Sequence, residues 1–142
     1  MRVSSYAVAR PAYYDRNAAS SILGYSADVA PHGVTTRATY TGAAGKKTYV
    51  EYAFAACRTS VSGTVSGRRF GIVRITDATT ATCDIARIDG ASSLIANTVV
   101  SDKCQGMPTI YAGETVTLLT ADGTTGGTID WVLNAKFTTF DA

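Results

Sequence analysis

Three observations predict an all-β fold, an antiparallel sandwich or barrel of about eight short strands. The first is the final stretch, GTIDWVLNAKFTTF (127–140), in which Ile129, Trp131, Leu133, Ala135 and Phe137 alternate with Asp130, Asn134, Lys136 and Thr138. A period of two held this long fits a strand with one buried face, whereas a helix would scatter the five apolar residues around its circumference. The second is composition: the chain is rich in Thr, with 13 Gly and only 2 Met, which favours strands and turns over helices. The third is spacing, because strand and turn signals alternate from Val34 onward at near-regular intervals. At 142 residues the chain is expected to form one domain, large enough to bury roughly 70% of its unfolded surface.

Residues 1–33 stand apart and read as an extended N-terminal arm or entry loop. Val3–Val8 suits a short strand, Pro11 interrupts it, and Tyr13, Tyr14, Asp15, Arg16 and Asn17 make a polar, aromatic loop. Residues 20–30 contain Gly24 and show no clear periodicity, so they are read as part of the arm. The sandwich domain is placed at 34–142. VTTRATYT (34–41) is β-branched, GAAGK turns the chain, and KTYVEYAFAAC (47–57) is a strand apolar on both faces. Val50, Tyr52, Phe54 and Ala56 form one side of it, while Ala53, Ala55 and Cys57 make the other nearly as apolar. A strand of that kind is covered twice, so a second subunit is the expected cover.

SGTVSGR (62–68) reads as a Gly/Ser turn, RFGIVRIT (69–76) as a strand, DATT as a turn, and ATCDIARI (81–88) as a strand closed by Asp89-Gly90. SLIANTVV (93–100) suits either a strand or a short helix. SDKCQGMP is expected as a loop, TIYA (109–112) and TVTLLT (115–120) as strand material, and ADGTTGG (121–127) as the turn before the last strand.

Composition also narrows the function. The chain is 46% apolar and only 17% charged, against roughly 25% for an average domain, which suits a protein that covers part of itself with partners. A formal charge of +2, from 13 dispersed basic residues and 11 acids, gives no footprint for nucleic acid. The two basic pairs, Lys46-Lys47 and Arg68-Arg69, are expected as solvated turn residues. No apolar run reaches signal-peptide or membrane-span length, so synthesis and assembly in a cytosol are expected, with no membrane partner. Cys57, Cys83 and Cys104 contain no C-x-x-C pair and are expected as reduced thiols.

The residues offer no catalytic constellation. His32 is the only histidine, in a turn-like Pro31-His32-Gly33, so a Ser-His-Asp or Cys-His arrangement has one candidate base and no evident partner. The Cys and His residues stand too far apart in sequence for a zinc site, and Glu51 and Glu114 are the only glutamates available for paired-carboxylate chemistry. GAAGKKT lacks the first glycine and the Ser/Thr of a phosphate loop and leads into a strand, while Asp122-Gly123-Thr124 lacks the ligand run of a calcium loop. No cofactor or metal is expected, and a hydrolase is the weakest of the readings.

ATYTGAAGKKTYVEYAF (38–54) and IYAGETVTLLTADGTTGGTIDWVLNAKFTTFD (110–141) together resemble the small β-sandwich virion proteins of tailed bacteriophages. The resemblance lies in three turn elements, Thr41–Thr48, Ala112–Val116 and Thr124–Asp130, with Gly42 and Ala43 replacing the valine and proline usual in the first. It implies a jelly-roll or TNF-like sandwich, commonly a homotrimer, and a structural role with no active site. On that basis the expected function is capsid decoration (cement): binding the major capsid protein on the outer capsid surface of the virion after synthesis in the host cytoplasm. Tyr6, Pro11, Tyr13, Tyr14 and Arg16 are the candidate capsid contacts, and Tyr49, Glu51, Ala53, Ala55 and Cys57 the candidate subunit interface. Cys104, expected in a loop, is the candidate for an intermolecular disulfide. The alternative is a receptor- or carbohydrate-binding head of a fibre or tail, with Tyr13, Tyr14, Tyr25 or Tyr111 carrying affinity.

Overall fold

The computed structural model describes residues 19–30, 32–61, 63–89, 93–94, 99–105, 109–125 and 127–142. Ten strands follow in order: β1 Ala19–Val29, β2 His32–Thr41, β3 Lys46–Val61, β4 Gly63–Thr76, β5 Thr82–Asp89, β6 Ser93–Leu94, β7 Val99–Gln105, β8 Thr109–Ile110, β9 Thr115–Thr125 and β10 Thr128–Asp141. Eight of them build two antiparallel sheets. Sheet A runs β1-β10-β3-β7 with β8 beside β3, and sheet B runs β2-β9-β4-β5 with β6 beside β4.

Four antiparallel pairs, β1 with β10, β2 with β9, β3 with β7 and β4 with β5, describe one long hairpin rolled into two layers. Its tip is the turn 77–81, where Asp77 accepts hydrogen bonds from the Thr79 and Ala81 amides at 2.8 and 2.9 Å. This strand order is jelly-roll connectivity, and it meets the fold class expected from the strand and turn pattern.

The core lies between the sheets. β10 keeps its period of two without a break from Ile129 to Phe137, and all five inward residues are 0–1% exposed. Opposite them sit Val73, Val116 and Leu118 from sheet B, with Ile85, Ala86 and Ile88 from β5. Trp131 is the largest buried side chain, and it reaches the opposite sheet at Gly71. A Cβ built on Gly71 would stand 2.8 Å from the Trp131 Cζ3 atom, so only glycine lets the indole lie that close to the backbone.

Several strands differ from expectation. Ala19–Val29, taken as part of the arm, is a full strand paired with β10 over its whole length. Its Leu23, Tyr25 and Val29 pack on the core, and that gain outweighs the weak strand preference of Gly24. The rest of the arm, 1–18, lies outside the described residues. Of the turns expected at 62–68 and 121–127, residues 63–68 instead extend β4 and residues 121–125 extend β9, and their Gly-rich pairing contains a register irregularity between Val65 and Arg69. Likewise 101–105 belong to β7 rather than a loop, which places Cys104 opposite Ala53 in the ladder.

Two of the three turn elements form one joint. The Gly42 amide donates to the Glu114 carbonyl at 2.8 Å, and the Gly113 amide to the Gly42 carbonyl at 3.0 Å. Glu114 closes its own turn by accepting from the Tyr111 amide through Oε2 at 2.9 Å. The joint ties the β2–β3 connection to the β8–β9 connection, which fixes how the two sheets align at that end.

Candidate interaction surface

Each sheet has an outer face, and the two differ in chemistry. On sheet B, β4 and β5 present a closed set of ion pairs. The Arg74 guanidinium grips Asp84 with two bonds of 2.6 and 3.2 Å, Arg87 donates to Asp84 at 3.0 Å, and Arg87 also binds Asp89 at 2.9 and 3.0 Å. The Arg87 guanidinium lies 5.6 Å from the Phe70 ring centre. The large apolar residue beneath this layer, Ile72, is already covered at 1% exposure. This β4–β5 surface satisfies its own charges.

Hydrogen bonding from Arg74 holds the Asp84 carboxyl below the usual carboxylate range, burial opposing it in part. A carboxyl whose folded value is depressed contributes stability that is complete above the ordinary value near about 4 and disappears as pH falls through the folded value. Asp84→Asn is therefore expected to cost about 1 kcal/mol at pH 7. It should also flatten the loss of stability as pH falls below about 4, as read by urea denaturation at a series of acid pH values.

The outer face of sheet A is built from other material. A bulge decides its make-up: Lys136 pairs with Tyr52 but Phe137 pairs with Val50, leaving Glu51 as the extra residue of β3. The extra residue switches the faces of β3. Thr48 and Val50 point inward before it, and Ala53, Ala55, Cys57 and Thr59 point inward after it. Ala53, Ala55 and Cys57, expected at a subunit interface, are thus core residues of a single chain, 0–4% exposed, and are corrected to that role. Tyr49 and Glu51, the other two expected interface residues, do lie on the outer face. They are joined there by Tyr52, Phe54 and Ala56 on β3 and Val132 on β10, all half-buried.

This apolar row has a charged rim. Lys136 and Glu51 approach to 3.5 Å on one side, and Arg58 donates to Asp130 at 3.1 Å on the other. A cavity of about 230 Å³ opens beside the latter pair, lined by Ala56, Cys57, Arg58, Asp130 and Val132. Asn134, between Phe54 and Gly24 in the ladder, keeps its Oδ1 buried with no hydrogen-bond partner among the described residues. An aromatic and aliphatic centre, a charged rim and an unmet polar atom are the ingredients of a binding surface.

The remaining sequence expectations fall as follows. Tyr6, Pro11, Tyr13, Tyr14 and Arg16 lie outside the described residues, as does the Cys104 side chain. Tyr25 is not a free loop aromatic: it is half-buried in β1, with the Arg37 guanidinium 4.9 Å from its ring centre. Tyr111 is exposed at 52%, at the turn joint. Cys57 is a buried free thiol and Cys83 an exposed one.

Arg69, expected in a solvated turn, is 4% exposed inside β4, where the register sets it opposite Asp122, itself 2% exposed. The register alone brings the two charges to facing positions, since Arg69 Nε and Nη1 are buried with no hydrogen-bond partner among the described residues, and the only sequence signal for the burial was the inward parity shared with Gly71 and Val73. His32 opens β2 and also faces Asp122 in register. Among the described residues no group of three or more His, Cys, Asp or Glu is placed to hold a metal ion. No protein-family model matches the chain, and no curated protein matches it.

Proposed function

We propose that the chain is a structural virion protein of a tailed bacteriophage, a capsid decoration protein that rests on the outer capsid surface and stabilises the shell. The observation that carries the reading is the outer face of sheet A, where Tyr49, Tyr52, Phe54, Ala56 and Val132 form a half-buried apolar row, whereas on sheet B the β4–β5 surface is occupied by its own ion pairs. The jelly-roll connectivity supports it only at the level of fold, since this architecture also serves lectins and cupins. The low charge and the turn elements at 41–48 and 112–116 add to it.

On this reading the role is mechanical. The row on sheet A meets the major capsid protein, and association of copies multiplies the attachment without new contacts to the shell. The homotrimer implied by the resemblance cannot use Ala53, Ala55 or Cys57, so any threefold contact draws on outer-face residues such as Tyr49 and Glu51.

Tyr52→Ser combined with Phe54→Ser tests the proposal. The double variant is expected to fold, as judged by circular dichroism, and to lose at least about tenfold in affinity for shells in co-sedimentation, since a central aromatic anchor contributes about 2 kcal/mol or more. Shell binding at wild-type strength would overturn the proposal. The receptor-binding alternative rests on exposed Tyr111, and it is favoured instead if Tyr111→Ala abolishes glycan or cell binding while shells are not bound at all.

A further inference from the structure

Sheet edges expose unpaired backbone donors and acceptors, and proteins blunt them with charge, proline, bulges or short length. Three of the four edges here carry such devices. β2 has two register irregularities and Arg37 at its centre, β5 has one irregularity and the charges of Asp84, Arg87 and Asp89, and β7 is short with Asp102 and Lys103. β1 carries only one charge, near its end, and none of the other devices. It is 11 residues long, pairs with β10 in unbroken register, contains no Lys, Arg or Pro, and among the described residues has no second neighbour in the sheet. Its one charge, Asp28, sits next to its end.

We infer that the free edge of β1 is a self-association site that takes β1 of a second copy, antiparallel, about a two-fold axis through Gly24. Gly24 is the middle residue of the strand. With Gly24 opposite itself, Ser20 faces the partner's Asp28, Ile22 faces the partner's Ser26 and Leu23 faces the partner's Tyr25. The single acid meets a hydroxyl, and no like charges stand opposite one another.

The fit extends to shape. Ile22 is 65% exposed on the outer face, and a Cβ on Gly24 would meet nothing within 4 Å. In an antiparallel pair the diagonal neighbour is about 7–8 Å away, within reach of a long side chain, so each Ile22 lies over the space above the partner's Gly24. On the inner face, half-buried Leu23 and Tyr25 are covered by their counterparts. The two sheet A paths become one continuous sheet, and the apolar rows on both outer faces lie side by side. The contact is independent of what sheet A binds, and it is tested on the purified chain alone.

Native mass spectrometry of the wild-type chain is expected to show an even number of copies, two, or six where threefold contacts join three such pairs. Gly24→Lys sets two ammonium groups face to face on the axis and should halve that number. Gly24 has no positive φ and an open site, so the variant keeps its fold and thermal stability. In a Cys83→Ser, Cys104→Ser background, which leaves only the buried native thiol of Cys57, Gly24→Cys should form a disulfide-linked dimer on mild oxidation, because facing Cα atoms in such a pair lie within disulfide range. Ser20→Cys, which faces the partner's Asp28, should not. A monomer, as when residues 1–18 of the same chain occupy the edge, overturns the inference. So does an odd-numbered assembly, a copy number unchanged by Gly24→Lys, or crosslinking no faster at position 24 than at position 20.

Discussion

Trp131→Ala will destabilise the domain by about 3–5 kcal/mol, the range for removing a large aromatic from a packed core. Against a total of roughly 5–15 kcal/mol this is about a fifth of the stability or more. The melting temperature should fall by about 10–15 °C for a chain of this size. The cause is local: the indole is fully buried and spans the layer between the sheets to lie against Gly71, so its loss leaves a void that rigid sheets on both sides cannot collapse. A double-mutant cycle separates this from loss of area alone. Gly71→Ala puts a methyl 2.8 Å from Trp131 Cζ3 and 3.2 Å from Leu133 Cδ2, and should cost about 1–3 kcal/mol in the wild type. In the Trp131→Ala background the methyl enters the void, so the second substitution should cost at least about 1 kcal/mol less. Strict additivity in guanidinium denaturation would show that the two residues do not press on each other.

Gly42→Ala is the second large effect, and it arises from backbone rather than side chain. A Cβ at this position would stand 2.0 Å from the Tyr111 carbonyl oxygen and 2.8 Å from its carbon, so no rotamer change relieves the overlap. The two turns must part, which breaks the Gly42–Glu114 and Gly113–Gly42 backbone bonds. A loss of about 3 kcal/mol or more is expected. Hydrogen exchange should show it first at the amides of Gly42 and Gly113, before the strands respond. Gly24→Ala, at an open site of the same chain, serves as the control and should change stability by no more than about 0.5 kcal/mol.

These effects differ in how far the sequence foretold them. Trp131 was legible as core because β10 alternates without interruption, and parity carries through an unbroken strand. Gly42 was legible as part of a turn but not as the point of closest approach to a second turn, since nothing local records which loops meet. β1 shows the opposite case: Leu23, Tyr25, Ala27 and Val29 do alternate with Gly24, Ser26 and Asp28, but the glycine and the nearby Pro31 masked the pattern. Its partner, β10, lies at the far end of the chain, so the pairing that makes it a strand is invisible to any local window.

The interface residues show why the candidate surface needed the fold. Tyr49 to Cys57 is apolar on both sides, so its pattern carries no label for inside and outside. A single extra residue, Glu51, then reverses the parity partway along the strand. Counting by twos from Val50 assigns Tyr52 and Phe54 to the core; counting from Cys57 assigns Ala53 and Ala55 there, and only the second agrees with the structure beyond the bulge.

By itself the sequence determined that the chain is all-β, that its last strand is a core strand, and that no familiar catalytic or metal-binding motif is written into it. Those properties follow from composition, from period-two alternation and from the spacing of rare residue types, all of which are local. The tertiary structure alone decided the jelly-roll order of the strands, the burial of Arg69 opposite Asp122, the inward turn of Ala53, Ala55 and Cys57, and the place of β1 at a sheet edge among the described residues. Each of these depends on pairing between strands distant in sequence, where one bulge or one neighbour sets the direction in which every following side chain points.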